Sequence, residues 1–372
     1  MLDALIYVWN PNTRINDGNH LFIGSNANPI KVGFELANLY NLYHNTKFYI
    51  EDLIERELPE NVISFLINYH IIIPDHLQIS CQTPFLNKIS SSNFGRISDI
   101  IFERNTKNFI VGLPYANDIP YAYDNTKTLS QSMGPNCVYR SISDHLQRTK
   151  FLGNINYDIF FDDYKKLVEM ILYLIHLVIF YKKRIIFLGG EHTLTYFITM
   201  AHSKVVQNKI KIIQLDAHHD MYSNGSFYKR PNHANFMSFL IEEGWLDYLV
   251  QVGTRDLTKP ISSSSSIKLE VTEANRLIDG NILEDTRLGL YGNQLSIDID
   301  ILDPKLVSDV VAPITGGWAL DCLLEEIKFI FREVPIHIMD ICEICNGRDG
   351  SSKSDSAAAA GRILAEIDRA AI

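Results

Sequence analysis

Acidic and histidine side chains are concentrated in four short segments, each of which follows an apolar run. These segments are Gly189–His192, Asp216–Asp220, Ser296–Pro304 and Met339–Glu343. Carboxylates and imidazoles are common ligands of divalent cations in proteins. The four segments together therefore indicate metal-dependent chemistry at one shared site.

The spacing within the segments favours a pair of metal ions. In an extended chain, residues two apart lie on the same face, so the alternating acids and histidine of the second and third segments can point into one site. So many carboxylates at close range would repel one another without a cation. Two divalent ions remove this repulsion, because they can share carboxylates and activate water. The predicted ligands are one histidine from the first segment and the alternating residues of the next two: His192, Asp216, His218, Asp220, Asp298 and Asp300.

Each predicted ligand also has a structural explanation when it is taken alone. An Asp or Glu after a strand is often a helix cap, a single histidine is more often structural, and Asp303 before Pro304 favours a turn. Six such residues at alternate positions on three strand ends are much harder to explain in this way. Because the set contains four carboxylates and two imidazoles without a thiolate, it favours manganese over zinc.

The predicted site requires a sheet whose strand ends meet, and the sequence from about Asn108 has the pattern of such a sheet. Unbroken apolar runs alternate there with helical patterns such as Tyr164–Phe180, Thr193–Met200 and Ala319–Phe331. This alternation is typical of a parallel sheet covered by helices on both faces, with ligands at the carboxyl ends of the strands. The sequence thus predicts an α/β fold with strands at Asn108–Gly112, Arg184–Leu188, Lys209–Leu215, Tyr248–Val252, Leu295–Ile301 and Pro335–Ile341.

The first hundred residues follow a different pattern. Apolar residues in Leu36–Tyr43 recur at helical spacing, and Tyr49–Glu57 follows as a second helical stretch. Pro59 stands at the first position of a third predicted helix, which extends to about Tyr69. Ile71–Ile73 then predicts a short strand. Short strands, three helices and a closing strand predict a small winged-helix-like α+β module.

Composition restricts the compartment and the partners. With 372 residues, the chain is expected to contain a small module at 1–105 and a catalytic domain at 106–372. The net charge of −10 argues against a nucleic-acid partner and suits a cationic substrate. The odd number of cysteines, five, predicts reduced thiols and a cytoplasmic protein. No signal-peptide pattern opens the chain, and its most apolar run, Leu167–Phe180, is too short to span a bilayer.

The four segments resemble those of the ureohydrolases, the arginase and agmatinase superfamily. The resemblance covers roughly residues 108–372 and includes Val111–Pro114 and Gly134-Pro135. It implies a three-layer α-β-α fold and two manganese ions per chain, held by the six predicted ligands. It also implies that Glu343 grips a guanidinium group, whose fork of donors suits a carboxylate, and that His233 is a proton shuttle.

The reaction implied by this resemblance is the removal of urea from a guanidinium compound. The metal ions would lower the pKa of a water molecule, while Glu343 holds the guanidinium carbon in place. Asp220 would orient the water and accept its proton, and His233 would protonate the leaving amine. His219 is closer to the ligands in sequence and is a competitor for the role of His233.

Departures from the family pattern bear on the substrate. Enzymes for free arginine have a Thr/Ser/Asn-rich stretch after the Asp-x-His-x-Asp motif and an Arg-Asp-x-Asp motif further along the chain. Here Met221–Arg230 lacks that stretch, and Thr258 replaces the second acid. Tyr222–Gly225 is more similar to agmatinase. Two further departures are Glu191, where Asp is usual, and His219, where Thr is common. They affect only the expected fine geometry of the metal site.

The N-terminal module resembles a known kind of peptide-binding domain. The segment Leu36–Ile73 is similar to the small PqqD-like domains that bind leader peptides of ribosomally made natural products. A ureohydrolase fused to such a module resembles a peptide arginase, which converts arginine side chains of a precursor peptide to ornithine. An arginine within a peptide has no free α-carboxylate or α-amino group, which matches the two missing recognition features. We therefore expect a precursor peptide as the substrate.

Several alternatives remain open at this point. The chain could be a small-molecule ureohydrolase acting on agmatine, arginine or another guanidino compound. A zinc-dependent deacetylase would need one metal ion, and a catalytically inactive peptide-binding protein would need none, so the six-ligand set argues against both. The N-terminal module could instead serve homo-oligomer formation or be a purely structural extension.

Overall fold

The computed structural model describes residues 6–9, 13–16, 20–23, 30–68, 71–74, 86–87, 95–116, 131–142, 146–155, 164–222, 230–256, 268–273, 291–347 and 353–370. The strands are β1 (Ile6–Trp9), β2 (Thr13–Ile15), β3 (His20–Ile23), β4 (Ile30–Lys31), β5 (Lys47–Tyr49), β6 (Ile72–Pro74), β7 (Leu86–Asn87), β8 (Asn108–Leu113), β9 (Thr149–Ile155), β10 (Arg184–Gly189), β11 (Ile210–Leu215), β12 (Leu246–Thr254), β13 (Lys268–Glu273), β14 (Asn293–Asp298) and β15 (Ile338–Cys342). The α-helices are α1 (Phe34–Tyr43), α2 (Ile50–Glu55), α3 (Glu60–Asn68), α4 (Asp99–Phe102), α5 (Gly134–Ser141), α6 (Tyr164–Phe180), α7 (Leu194–Val206), α8 (Phe236–Glu242), α9 (Leu320–Glu333) and α10 (Asp355–Arg369).

A large, mostly parallel sheet dominates the fold. Its nine described strands lie in the order β13-β12-β11-β14-β15-β10-β8-β9-β7. Neighbouring strands run parallel except at one edge, where β7 pairs with β9 in the antiparallel sense. All six strands predicted from apolar runs are present in this sheet, so the predicted α/β fold is confirmed.

Helices cover both faces of the sheet, because its central strands are buried on both sides. Every residue of β10 and of β14 is buried, so neither face of these strands can be left to water. Side chains of α6, α7 and α8 pack on one face, and those of α5, α9 and α10 pack on the other. The three-layer arrangement is thus confirmed. Within the described ranges, no helix is long and apolar enough to cross a membrane.

The ligand-bearing segments are less extended than the alternation argument requires. The predicted strand Leu295–Ile301 ends at Asp298, and Ile299–Ile301 forms a 3₁₀ turn. The Asp298 carboxylate accepts a hydrogen bond from the backbone N–H of Asp300 at 2.8 Å, which satisfies a donor that an extended strand would leave open. The segment after β11 is likewise irregular, and Asp220 has a positive φ of 50°. Turns, and not strand alternation, therefore bring these acids together.

Three of the nine described strands, β7, β9 and β13, carry no long apolar run and were not predicted. The strand β9 includes Lys150, Gly153 and Asn154, and the edge strand β13 includes Lys268 and Glu270. Their place in the sheet comes from backbone pairing with β8 and β12. Because every residue except proline has the same backbone donor and acceptor, this pairing cannot be recognised from the sequence pattern.

Up to residue 74, the described part of the N-terminal region contains three helices and two small antiparallel sheets, as a small α+β unit requires. One sheet has the order β5-β1-β6 and the other has the order β2-β3-β4. The helix α3 begins at Glu60, directly after Pro59. This region shares one apolar core with the large sheet, because Tyr7 and Trp9 of β1 belong to the same buried cluster as Tyr173 of α6. Burial and the neighbouring hydroxyls of Tyr173 and Tyr181 raise the pKa of Tyr7.

Candidate metal centre

The predicted site residues lie at the carboxyl ends of four adjacent central strands. In the sheet order β11-β14-β15-β10, β11 leads to Asp216, β14 ends at Asp298 and β15 leads to Glu343, while His192 follows β10. Parallel strands place these ends at one edge of the sheet, where loops can collect polar side chains. The fold therefore brings together residues that are far apart in the sequence.

One group of ligands surrounds the Nδ1 atom of His192. Carboxylate oxygens of Asp216, Asp220 and Asp298 lie 3.1, 2.9 and 3.2 Å from this nitrogen. All four side chains are buried. Burial disfavours the charged imidazole, but the three carboxylates outweigh it and raise the pKa of His192. A positive charge is therefore required at this point.

A second group surrounds the Nδ1 atom of His218. Oδ2 of Asp300 lies 3.0 Å from it, and Oδ1 of Asp216 lies 3.6 Å from it. Asp216 thus turns Oδ2 towards His192 and Oδ1 towards His218. A carboxylate with one oxygen facing each group is the geometry of a bridging ligand between two cations.

The residues present fit a pair of hard divalent ions. The Nδ1 atom of His192 is buried without a hydrogen bond of acceptable geometry among the described residues. Burial and the neighbouring carboxylates raise the pKa of Asp220 and of Asp298, and a cation between such closely spaced acids would favour their charged forms. Two sets of metal-ligating atoms, one with His192 and one with His218, share Asp216. Oxygen-rich donor sets with imidazole suit manganese.

Buried polar side chains hold the ligands in place, and sequence analysis did not identify them. Nε2 of His192 lies 2.9 Å from Oγ of Ser296, whose hydroxyl donates to Asp340 at 2.7 Å. This bond directs the other ring nitrogen, Nδ1, towards the carboxylates. The amide of Gln214 donates to Asp216 at 2.7 Å and to Asp220 at 3.0 Å. The signal for Ser296 was its position two residues before Asp298 in a strand, on the same face.

Glu343 lies beside this cluster in a constrained conformation. Its Oε1 accepts a hydrogen bond from the backbone N–H of His192 at 2.9 Å, and its Oε2 accepts one from the amide of Gln131. Its backbone N–H donates to the carbonyl of Gly190 at 2.8 Å. Burial raises the pKa of Glu343 to about 7. Glu343 and Asp220 both have positive φ, 60° and 50°, a strain that often accompanies functional sites.

A cavity of about 240 Å³ connects the cluster to Glu343. It is lined by Glu343, Tyr222, His233 and five of the six predicted ligands. His233 is half-buried, and its buried Nδ1 atom has no hydrogen bond among the described residues. Burial, followed by repulsion from His218, lowers the pKa of His233 to about 4.

His219, the alternative candidate for the proton-shuttle role of His233, lies outside the cavity lining. Its Nε2 lies 3.5 Å from Oδ2 of Asp256. Its Nδ1 accepts a hydrogen bond from the backbone N–H of Met221 at 2.9 Å. Of the positions that bear on the substrate, Thr258 and residues 223–229 lie outside the described residues.

The sequence is similar to proteins of known type over its second part. It is 30% identical over 190 residues to an agmatinase of Neisseria gonorrhoeae, which covers 49% of this chain and 58% of that protein. It is 30% identical over 167 residues to an N(1)-aminopropylagmatine ureohydrolase of Thermus thermophilus, covering 44% and 55%. It is 33% identical over 136 residues to a mitochondrial arginase of Medicago truncatula, covering 35% and 39%. The chain thus spans less than two thirds of the length of each of these relatives.

The fold is shared with solved structures. An arginase from Medicago truncatula matches with a TM-score of 0.54 and 22% identity, over 71% of this chain and 86% of that one. A hypothetical agmatinase from Burkholderia thailandensis matches with a TM-score of 0.53 and 18% identity, over 71% and 85%. The family model for arginase matches residues 118–367. Because this match covers more than half of the sequence, and includes every predicted ligand, the chain belongs to the arginase family.

Proposed function

We propose that this chain is a dimanganese hydrolase that cleaves a guanidinium group into urea and an amine. The observation that carries the proposal is the position of Asp216, with one oxygen facing His192 and the other facing His218. Both of these histidines line the cavity that also contains the buried carboxylate of Glu343. Bound manganese would supply positive charge and lower the pKa of a water molecule.

Glu343 is the group that would bind the guanidinium. Two protein donors already fix its carboxylate, one from the His192 backbone and one from Gln131, so its orientation is set before a substrate arrives. Each carboxylate oxygen can accept more than one hydrogen bond, which leaves room for the guanidinium N–H groups. Because burial raises its pKa to about 7, the arrival of a cationic substrate would favour the charged form of Glu343.

Asp220 and His233 would move the protons. Water adds to the guanidinium carbon, the bond from carbon to the substituted nitrogen breaks, and both water protons end on the leaving nitrogen, which departs as an ammonium group while the water oxygen becomes the oxygen of urea. Asp220 is placed among the ligands and would accept the first proton. His233, with a pKa of about 4, is neutral at pH 7, so it would have to take up a proton before passing it to the amine. It is therefore assigned as a relay.

The substrate we propose is an arginine side chain of a ribosomally made precursor peptide, which would become ornithine. The supporting observation is a group of exposed apolar side chains in the N-terminal region: Phe34, Leu42, Tyr49 and Ile54 are 71%, 55%, 40% and 49% exposed. They are four of the five large apolar side chains exposed among the described residues, and a contiguous patch of such side chains is typical of protein or peptide binding. Residues 1–105 would then be the leader-binding module, with contact to another copy of the chain as the alternative.

A small guanidino compound is the second candidate. Several of the relatives are named agmatinase, and the cavity of about 240 Å³ is large enough for a compound of that size. In this case the N-terminal region would have no role in substrate choice. The chemistry at the metal centre would be the same.

Urea release tests both the reaction and the substrate. The measurement compares a precursor-like arginine peptide, a short arginine peptide, agmatine and free arginine, with manganese and after chelation. Urea from at least one substrate, lost on chelation and restored by manganese, is the expected result. Full activity after exhaustive chelation would contradict the dinuclear mechanism. A preference for agmatine over both peptides would leave the reaction standing and replace the proposed substrate.

A further inference from the structure

The side chain of Arg255 joins several loops at the edge of the sheet, although it is neither a predicted ligand nor part of the cavity lining. Arg255 directly follows β12. Its Nη1 donates to the backbone carbonyls of Gly253 and Ile301 at 3.2 and 3.0 Å. Its Nη2 donates to those of Asp300 and Ile314 at 3.0 and 3.1 Å. All four terminal N–H groups of the guanidinium are therefore used to hold backbone.

The backbone of Arg255 contacts the second ligand-bearing segment. Its N–H donates to the carbonyl of Ala217 at 2.8 Å, and Ala217 stands between two of the predicted ligands. The backbone N–H of Ala217 in turn donates to Oδ1 of Asp300 at 3.3 Å. A single residue thus connects the two segments that supply the ligands around His218.

The ligands around His192 are held by different side chains. Oγ of Ser296 lies 2.9 Å from the ring of His192, and the amide of Gln214 donates to two acids of this group at 2.7 and 3.0 Å. Within the described part of the chain, the hydrogen bonds of Arg255 do not include these side chains. The two halves of the proposed metal centre therefore share Asp216 but have separate supports.

We propose that Arg255 is a positioning residue that sets the affinity of one of the two metal ions, the ion bound by the ligands around His218. This inference rests on the proposed dimanganese function and assigns a role within it. A planar guanidinium can hold several carbonyls at fixed angles, so Arg255 fixes the backbone at Asp300 and at the residue after it. Without Arg255, these carbonyls would lose their donors and the ligand loop would lose its support.

Charge and position have opposite effects on metal binding at Arg255. Burial lowers the pKa of Arg255, while Asp300, Asp216 and two further acids favour its charged form. A positive charge near a cation site repels the incoming ion, so the loss of charge alone should strengthen manganese binding. The loss of a positioning group should weaken it. The direction of the change therefore distinguishes the two effects.

The experiment is a manganese titration of the metal-free, full-length protein. Calorimetry, with free manganese measured by electron paramagnetic resonance, gives a Kd for each ion without turnover. Arg255→Lys keeps the charge and loses the planar fork, and Arg255→Gln loses both. We expect the affinity for one ion to fall by about tenfold in Arg255→Lys and by about a hundredfold in Arg255→Gln, the range typical of residues that orient metal ligands. The affinity for the other ion should not change.

Double variants identify which ion is affected. In Arg255→Lys with Asp300→Asn, the two losses should overlap and be smaller than the product of the single effects, because both changes act on the ion beside His218. In Arg255→Lys with Asp220→Asn, each ion should show its own loss, because Asp220 belongs to the His192 group. Full overlap with Asp220→Asn in place of Asp300→Asn would contradict the assignment.

Arg184→Gln is the matched control. Arg184 begins β10, at the end of the sheet opposite to the site, and its guanidinium also donates to backbone carbonyls. These belong to Ile336 at 3.1 Å and to Ala370 at 3.4 Å. The control variant should lower the Tm of the metal-free protein and leave both manganese affinities unchanged.

The titrations can overturn the inference in several ways. An equal loss of affinity for both ions in the Arg255 variants would show a general structural role, and unchanged or tighter binding of both ions would show that position is unimportant. If Arg255→Gln does not fold, Arg255→Lys decides by the same criteria. Wild-type protein that binds fewer than two manganese ions would contradict the dinuclear site and this inference with it. Two bound ions without urea release would contradict only the proposed reaction, and the affinities would still test Arg255.

Discussion

Asp216 is the residue that the two halves of the proposed metal centre share. It is fully buried, and its two oxygens face different histidines. The surrounding carboxylates repel one another in the low-dielectric interior, and only a cation or a proton can relieve that repulsion. At the scale of single residues, the proposed chemistry therefore depends on balancing the negative charge of these carboxylates with a cation. The variants that test it remove one negative charge and keep the shape of the side chain.

Asp220→Asn is expected to lose most of the urea-forming activity. The change removes one ligand charge and the proposed proton acceptor, but it retains the side-chain volume and the position 2.9 Å from His192. We expect a loss of at least about a hundredfold in kcat and a lower manganese content, measured by elemental analysis. Asp247→Asn, at an exposed position, is the control. Normal manganese content with normal kcat would show that Asp220 is neither ligand nor base.

Glu343→Gln is expected to weaken substrate binding and leave the metal content unchanged. Glutamine keeps the shape of the side chain, but it loses the charge that would pair with the guanidinium. Removing one partner of a buried charged pair costs about 2–5 kcal/mol, so kcat/KM should fall by that free energy. Glu325→Gln, which changes a side chain that is 69% exposed, is the matched control. Wild-type turnover by Glu343→Gln would rule out the guanidinium assignment.

The arrangement of the strands determines where the site residues meet, because four adjacent parallel strands end at the same edge of the sheet. The order β11-β14-β15-β10 places the ligands and Glu343 side by side, although they span residues 192–343 in the sequence. Helices also contribute to the support of the site. The helix α7 begins just after His192 and carries Thr195, which donates to Asp340 at 2.9 Å. Oγ1 of Thr195 also lies 3.1 Å from Oγ of Ser296 in β14, so distortion of the contact between α7 and β14 should affect the stability of the site region.

The α7–β14 contact is expected to make stability depend on pH through His202. This buried residue of α7 bonds to the carbonyl of Tyr291 and lies 3.3 Å from Gln294 of β14. Burial lowers the pKa of His202 to about 4, below its ordinary value of about 6.5. As the pH falls below 6.5, the unfolded chain takes up this proton first, so the free energy of unfolding decreases until the folded pKa is reached.

Urea unfolding of metal-free protein at pH 7 and pH 5 measures this effect. The wild type should lose about 2 kcal/mol more between these pH values than His202→Gln, whose side chain does not titrate. His20→Gln, at a partly exposed position in β3, serves as the control and should retain the wild-type pH dependence. Equal pH dependence of wild type and His202→Gln would contradict the assignment of a neutral buried imidazole.

At the scale of the whole molecule, the N-terminal region shares its apolar core with the large sheet and its helices. Tyr7 and Trp9 are in the same apolar cluster as the buried face of α6. Removing residues 1–105 would expose that face to water, at about 25 cal/mol per Å² of apolar surface. We expect the truncated protein to have a lower Tm and to aggregate in sedimentation experiments. A truncated protein with the wild-type Tm would show that the region folds and functions as an independent module.

Surface variants therefore test the role of the N-terminal region better than truncation does. Phe34→Ser and Leu42→Ser change side chains that are 71% and 55% exposed, so folding should be preserved. If a precursor peptide docks there, kcat/KM for the full peptide should fall by about tenfold or more, and the rate with a short arginine peptide should not change, because docking raises only effective concentration. Leu306→Ser, at a 49% exposed position of the catalytic domain, is the matched control. Equal effects on both peptides would argue against peptide docking on this surface.

Sequence alone determined the α/β class and the identities of the residues that meet at the metal centre. Apolar runs and the acids that follow them are local patterns, so β10, β11, β14 and β15 could be predicted within a few residues. Tertiary structure decided how those acids converge, because turns at 216–222 and 299–301 depend on hydrogen bonds that no periodicity reveals. Tertiary structure also placed His219 beside Asp256 and Gln131 beside Glu343. Both contacts join residues that are far apart in the sequence. The packing of the N-terminal region against α6 could not be predicted from the sequence either. A shared core depends on contacts between two elements, and the apolar pattern of each element does not show which partner it packs against.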